Sequence, residues 1–221
     1  MPTIFQANLD GSESIRYFHV SLFAYYLRQA HVHAGNAYAA TEVDSEFKES
    51  LLSILFSALS AEAFVNEMAE EKLHGTEIAA FHSLQNKYKR TTETASITWK
   101  VKLLFELYWQ HSLAIDTEPL VGVERLSKLR NALVHYKLHD SAGKAYMPPP
   151  KTIPVEGGGF LTGFNFMQSP TRVEPPLVSR LNRRESASCF NAVLRVAKLW
   201  NQCAGAQPNS LTSISEFELT Q

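Results

Sequence analysis

Apolar residues recur at helical spacing through most of the first 140 positions of this 221-residue chain, which predicts amphipathic helices packed as a bundle. Ile15, Phe18, Leu22 and Tyr26 begin a first helix expected to end near Gly35. A second, over residues 44–73, carries Leu51, Ile54, Leu55, Ala58, Ala61, Val65 and Met68 on one side, with Glu67, Glu70, Glu71 and Lys72 largely on the other. Gly75 ends it. A shorter polar helix over 77–88 leads into the connection Thr91-Thr92-Glu93-Thr94. Residues 97–110 are apolar nearly all round, the pattern of a helix covered on two faces. The next helix runs through 126–138, with Pro119 tolerable in a first turn and Gly122 marking a later start.

Between 140 and 185 the composition changes, because seven of the ten prolines and five of the ten glycines fall there. Regular helix is excluded in this insert, assigned to 141–185, although 152–155 and 160–166 flank Gly157-Gly158-Gly159 and can pair as a small β-hairpin. A lid or arm is the expected role. A last amphipathic helix over 186–203 offers Phe190, Val193, Leu194, Ala197 and Trp200 to the bundle, and 207–221 reads as a flexible tail. The expected architecture is all-α: one domain over 1–221, a bundle of four to six helices with the Pro/Gly-rich insert.

Length and a 45% hydrophobic content suit one soluble globular domain. A net charge of −1 supplies no global field for polyanions, so any nucleic-acid contact must use a local patch. The N-terminal residues lack a basic region followed by an apolar one. The most apolar stretch, 51–64, is interrupted by Ser53, Ser57, Ser60 and Glu62 and is too short to span a bilayer. A cytoplasmic protein without membrane contact is therefore expected. Cys189 and Cys203 lie fourteen residues apart, roughly 21 Å along one helix, out of disulfide reach.

The run Arg130-Asn131-Ala132-Leu133-Val134-His135 concentrates the chemistry. It puts a permanently charged phosphate fork, a carboxamide and a proton-transferring imidazole on one short helical piece. At about 100° per residue Leu126, Leu129, Leu133 and Tyr136 form the stripe facing the bundle, with Asn131 and His135 together on the opposite side. Val134 and Leu138 fall between Arg130 and that pair, so a second surface, naturally a partner subunit, is expected to cover this face. Arg130 and His135 are about 140° apart on an ideal helix, so spacing alone does not bring them together. Glu62 falls at the angle of the apolar stripe of its helix, where a carboxylate needs a partner; Arg130 is the candidate, and Asn66, one turn on, can join the network.

Arg130, Asn131 and His135, the helical pattern before them, and Ser57-Ala-Leu-Ser-Ala-Glu-Ala-Phe-Val-Asn66 together resemble the HEPN superfamily, small helical proteins many of which are dimeric ribonucleases. The resemblance covers roughly residues 15–139 and the last helix. It implies that Arg130 binds phosphate and stabilises the transition state, His135 transfers protons and Asn131 positions them. Glu62, Asn66 and Tyr136 support the site, and Lys137 helps hold an RNA backbone. The implied reaction is metal-independent cleavage of RNA to a 2′,3′-cyclic phosphate and a 5′-hydroxyl by a homodimer, without cofactor. A toxin or antiviral-defence effector, kept in check by an antitoxin or regulatory protein, is the implied setting. One HEPN subset carries a tyrosine two residues after the histidine as a target of nucleotide modification; here that position is Lys137, and Tyr136 comes first.

Other readings stand beside this one. Arg130 and His135 can be an interhelical ion pair and a satisfied histidine in a non-catalytic HEPN-like module that dimerises or binds a protein or nucleotide. His135 and His139, four apart with Asp140 beside them, can be read as metal ligands, but the sequence fixes no complete ligand set, and no metal site is expected. No GxxxxGK[ST], GxGxxG, HExxH or GxSxG run is present. The basic clusters Lys87/Lys89/Arg90 and Arg180/Arg183/Arg184 are further candidates for RNA contact.

Overall fold

A computed structural model describes residues 3–7, 14–18, 21–87, 96–135, 144–146, 151–163, 171–173, 175, 177–207 and 209–219. Helix dominates. Among these residues the α-helices are α1 (Leu22–Ala39), α2 (Val43–Lys72), α3 (Thr76–Lys87), α4 (Ile97–Trp109), α5 (Leu120–Val134) and α6 (Arg183–Cys203). Short antiparallel strand pairs accompany them: β1 (Thr3–Ala7) with β2 (Ser14–Phe18), β3 (Lys144–Tyr146) with β6 (Thr171–Val173), and β4 (Lys151–Pro154) with β5 (Phe160–Gly163). Gly157, Gly158 and Gly159 all have positive φ between β4 and β5, a conformation in which side chains are strained.

The first helix begins later than its periodicity predicts. Ile15 and Phe18 lie on β2, and α1 starts at Leu22, after Ser21 has capped it by accepting from Ala24 N–H at 3.1 Å. Glu67 of α2 supplies a second cap, its carboxylate accepting from Ser21 Oγ at 2.7 Å and from Phe23 N–H at 2.9 Å. Negative charge belongs at this end of a helix dipole. The helix then runs past Gly35 to Ala39.

α1 and α2 form the most extensive contact of the molecule. The face that α2 buries is lined by Ser50, Ser53, Ser57 and Ser60 at helical spacing, all fully buried, together with Ala58, Ala61 and Ala69. Against it α1 sets Ala30, Ala34 and Ala37. Small side chains let the backbones come close enough for Ser53 Oγ to donate to Ala30 O at 3.0 Å and Ser60 Oγ to Phe23 O at 3.3 Å. α2 is long and apolar enough to cross a membrane, and its bundle contacts use that apolarity.

α6 is buried along most of its length and packs on α1, α2 and α5. Its Trp200 lies at an aromatic centre, with ring centroids 5.7 Å from Phe64, 5.2 Å from Phe105, 5.4 Å from Tyr108 and 5.3 Å from Trp109. Cys189 is buried in the same helix, and burial pushes its thiol up to about 12. Arg183, the first residue of α6, donates from its backbone N–H to Glu46 at 3.0 Å and pairs its guanidinium with the same carboxylate. Its remaining donors reach Tyr38 O and Ala40 O at 3.3 Å, satisfying carbonyls at the end of α1.

α5 buries Leu120, Val123, Leu126 and Leu129, and begins at Leu120 rather than after Gly122. Gly122 is instead the contact point with α6, where an added Cβ would stand 2.7 Å from Ala192 Cβ. Arg125 fixes the helix from the outside through a bidentate pair with Glu185, the buried carboxylate in the first turn of α6, with Nε donating to Oε1 at 2.8 Å. The segment after α6, expected as a flexible tail, is docked: Leu211, Ile214 and Phe217 pack against the core.

Candidate functional site

The last turn of α5 lies against α2, and the two helices present the predicted residues along their seam. Arg130 is half-buried there. Its Nη1 donates to Asn131 Oδ1 at 3.1 Å, and its Nη2 lies 3.8 Å from Glu62 Oε1. The pairing of Glu62 with Arg130 expected from their angles is thus present, but its setting is not. Glu62 is half exposed, because α2 turns its serine and alanine face inward and leaves Leu59, Glu62 and Asn66 outside. Asn66 is exposed one turn along, and no hydrogen bond joins it to the Glu62–Arg130 pair among the described residues.

His135 is exposed and stands at the C-cap of α5, its backbone N–H donating to Asn131 O at 3.0 Å. α5 runs to Val134, and the predicted continuation over 136–138 lies outside the described residues. Tyr136 and Lys137 lie outside the described residues, as do Leu138, His139 and Asp140. Among the described residues no three His, Cys, Asp or Glu side chains cluster as metal ligands.

Two large apolar side chains flank the Glu62–Arg130 pair in sequence. Leu59, one turn before Glu62, is 44% exposed, and Val134, one turn after Arg130, is 52% exposed. Val134 follows from the sequence pattern; Leu59 does not, because its exposure depends on the serine face being the buried one. Polar and apolar groups are thus mixed along this seam.

Around α5 from this seam, Val121, Glu124, Arg125 and Lys128 join Ile115 and Arg180 in lining an open groove of about 350 Å³. Lys128, Asn131 and His135 follow one another at helical spacing, so the groove leads along one face toward the imidazole. The groove is not purely cationic: Glu124 Oε1 is 3.4 Å from Lys128 Nζ, and Arg180 Nη2 is 4.0 Å from Glu185 Oε1. Of the predicted basic clusters, Arg183 is turned toward Glu46, Arg184 is exposed, and the side chains of Lys87, Lys89 and Arg90 lie outside the description.

No family model, curated protein or solved structure matches this chain.

Proposed function

We propose that this chain is a HEPN-like helical protein acting as a homodimeric, metal-independent endoribonuclease, with a composite site built from Arg130, Asn131 and His135 of two copies. The observation that carries the proposal is the last turn of α5, where a half-buried guanidinium, its carboxamide neighbour and an exposed imidazole sit within six residues beside exposed apolar side chains. A second copy covering Leu59 and Val134 across a two-fold axis would bring two such sets together.

Arg130 is suited to phosphate exchange. Its contact with Glu62 is a loose, partly exposed ion pair of a kind that contributes about 0–1 kcal/mol, so a phosphate oxygen can replace the carboxylate at little cost. In the proposed reaction one neutral imidazole takes the proton of a ribose 2′-hydroxyl as that oxygen attacks the adjacent phosphorus. The bond to the 5′-oxygen breaks, and the partner copy's protonated imidazole gives the leaving oxygen its proton. The products are a 2′,3′-cyclic phosphate and a 5′-hydroxyl. One charged and one neutral imidazole give the coupled, bell-shaped pH dependence of general acid–base catalysis near neutrality.

Within this reading the protein is cytoplasmic, acts as a toxin or antiviral-defence effector, and is held by an antitoxin or regulatory protein, with the insert as a lid or arm. A non-catalytic HEPN-like module is the second reading, favoured by the engagement of Arg130 with both Glu62 and Asn131. Purified protein incubated with varied RNAs in EDTA separates the two. Cleavage that His135→Ala abolishes while the dimer persists supports the nuclease; intact RNA with dimeric wild-type protein supports the module.

A further inference from the structure

Residues 209–219 lie along the groove between α1 and α6 and are held as a protein holds a bound peptide. Asn191, only 1% exposed, turns its whole carboxamide on the backbone of one residue. Its Nδ2 donates to Phe217 O at 2.8 Å and its Oδ1 accepts from Phe217 N–H at 2.9 Å. This pair reads extended backbone without regard to side chain, as a strand edge does. Tyr38 adds a third backbone contact, its hydroxyl donating to Glu218 O at 3.1 Å.

Selectivity comes from two further features. The ring of Phe217 stacks on Tyr38 at 5.6 Å with an interplanar angle of 2°, and meets Phe190 at 5.5 Å and His31 at 5.2 Å. Beside this aromatic pocket, Arg195 holds the Glu216 carboxylate with Nε at 2.8 Å and Nη2 at 2.7 Å, and Lys198 stands 3.9 Å from its other oxygen. Glu216, Phe217 and Glu218 thus meet a cationic pair, an aromatic cage and a backbone clamp in order. The approach to the groove, Ala204–Gln207, is exposed and includes Gly205 at φ +58°, so the segment can leave without unwinding α6.

We propose that the α1–α6 groove is a recognition site for an extended acidic-aromatic segment of a partner protein, of the pattern Glu-Phe-Glu, and that residues 209–219 occupy it as a competitor in cis. An empty groove would strip the Asn191 carboxamide of both its partners, which favours an occupant. The tethered segment acts at an effective concentration in the mM range, so a partner must carry the same chemistry to displace it. Arg195 also places Nη1 3.6 Å from Glu118, two residues before α5, so one guanidinium touches both the occupant and the root of the motif helix. The proposal stands on residues separate from the nuclease reading and does not depend on it.

The test uses the full-length chain and a fluorescent peptide with the sequence of residues 209–219. Phe217→Ala weakens the cis occupant, so this variant is expected to bind the peptide saturably. The wild type should bind about ten-fold or more weakly, because its own segment competes. Peptides carrying Phe217→Ala or Glu216→Lys should lose the affinity. A variant that keeps its helical circular dichroism yet binds no peptide overturns the proposal. Hydrogen exchange on the wild type gives an independent reading: the Phe217 amide should exchange while α6 amides remain protected. Exchange of Phe217 only on global unfolding would show that the groove is never vacated and would also overturn it. A wild-type dimer that becomes monomeric on Phe217→Ala would reassign the groove to exchange between two copies.

Discussion

Glu62 and Arg130 face each other across the seam of α2 and α5 with 3.8 Å between carboxylate oxygen and guanidinium nitrogen, beyond hydrogen-bonding distance and open to solvent. A pair so placed orients more than it stabilises. Glu62→Gln should therefore change the unfolding free energy by less than about 1 kcal/mol in a urea titration. It should also raise affinity for a short RNA at low salt, because it removes the carboxylate that competes with phosphate for Arg130. A loss of several kcal/mol, or unchanged RNA affinity, would show that the pair is a structural clamp.

Gly122 sets the distance between α5 and α6. Exchanging glycine for alanine inside a helix ordinarily gains about 1 kcal/mol. Here the new methyl would stand 2.7 Å from Ala192 Cβ and 3.0 Å from Glu118 Oε2, and the first of these belongs to a buried helix with no rotamer to change. Overpacking of this kind costs about 1–3 kcal/mol, so the steric term wins and Gly122→Ala should lower the denaturation midpoint. A midpoint that rises would mean the two helices separate more readily than their packing implies.

Two carboxylates tie stability to acid. The Arg183 guanidinium hydrogen-bonded to Glu46 holds that carboxyl below its ordinary value, and the hydrogen bond from His33 does the same for Glu49. A group whose folded value is depressed contributes stability that is complete above its unfolded value, here near 4.5, and fades as pH falls through the folded one. The melting temperature should thus decline on acidification below about pH 5, and Glu46→Gln should flatten part of that decline while lowering stability at neutrality. An identical acid limb in the variant would remove Glu46 from the account.

The helical bundle is legible in the sequence wherever large apolar residues mark the buried face, as Leu120, Val123, Leu126 and Leu129 do for α5. It is read incompletely where small polar residues share that face. In α2 the expected stripe is buried at Ile54, Ala58, Ala61 and Val65, but Ser50, Ser53, Ser57 and Ser60 are buried beside it, and Glu62, expected within the stripe, stands exposed. Periodicity cannot show this, because a serine hydroxyl becomes a core group only when a neighbouring carbonyl such as Ala30 O is within reach. Ile15 and Phe18 mislead for a different reason: two positions three apart fit a helix but also lie comfortably on a short strand. Leu211, Ile214 and Phe217 form too brief a pattern to announce docking, and their anchor, Asn191, is polar. At the site, the Arg130–Glu62 proximity is readable from helix angles, whereas the end of α5 at Val134 follows from local capping at His135.

The hydroxyls that Ser53 and Ser60 lend to the carbonyls of α1 have a mechanical consequence. Bolted together at two levels by bonds that larger side chains would prevent, α1 and α2 travel as one stiff plate. Breathing of the molecule is then taken up between this plate and the helices that pack on it, the end of α5 with its imidazole among them.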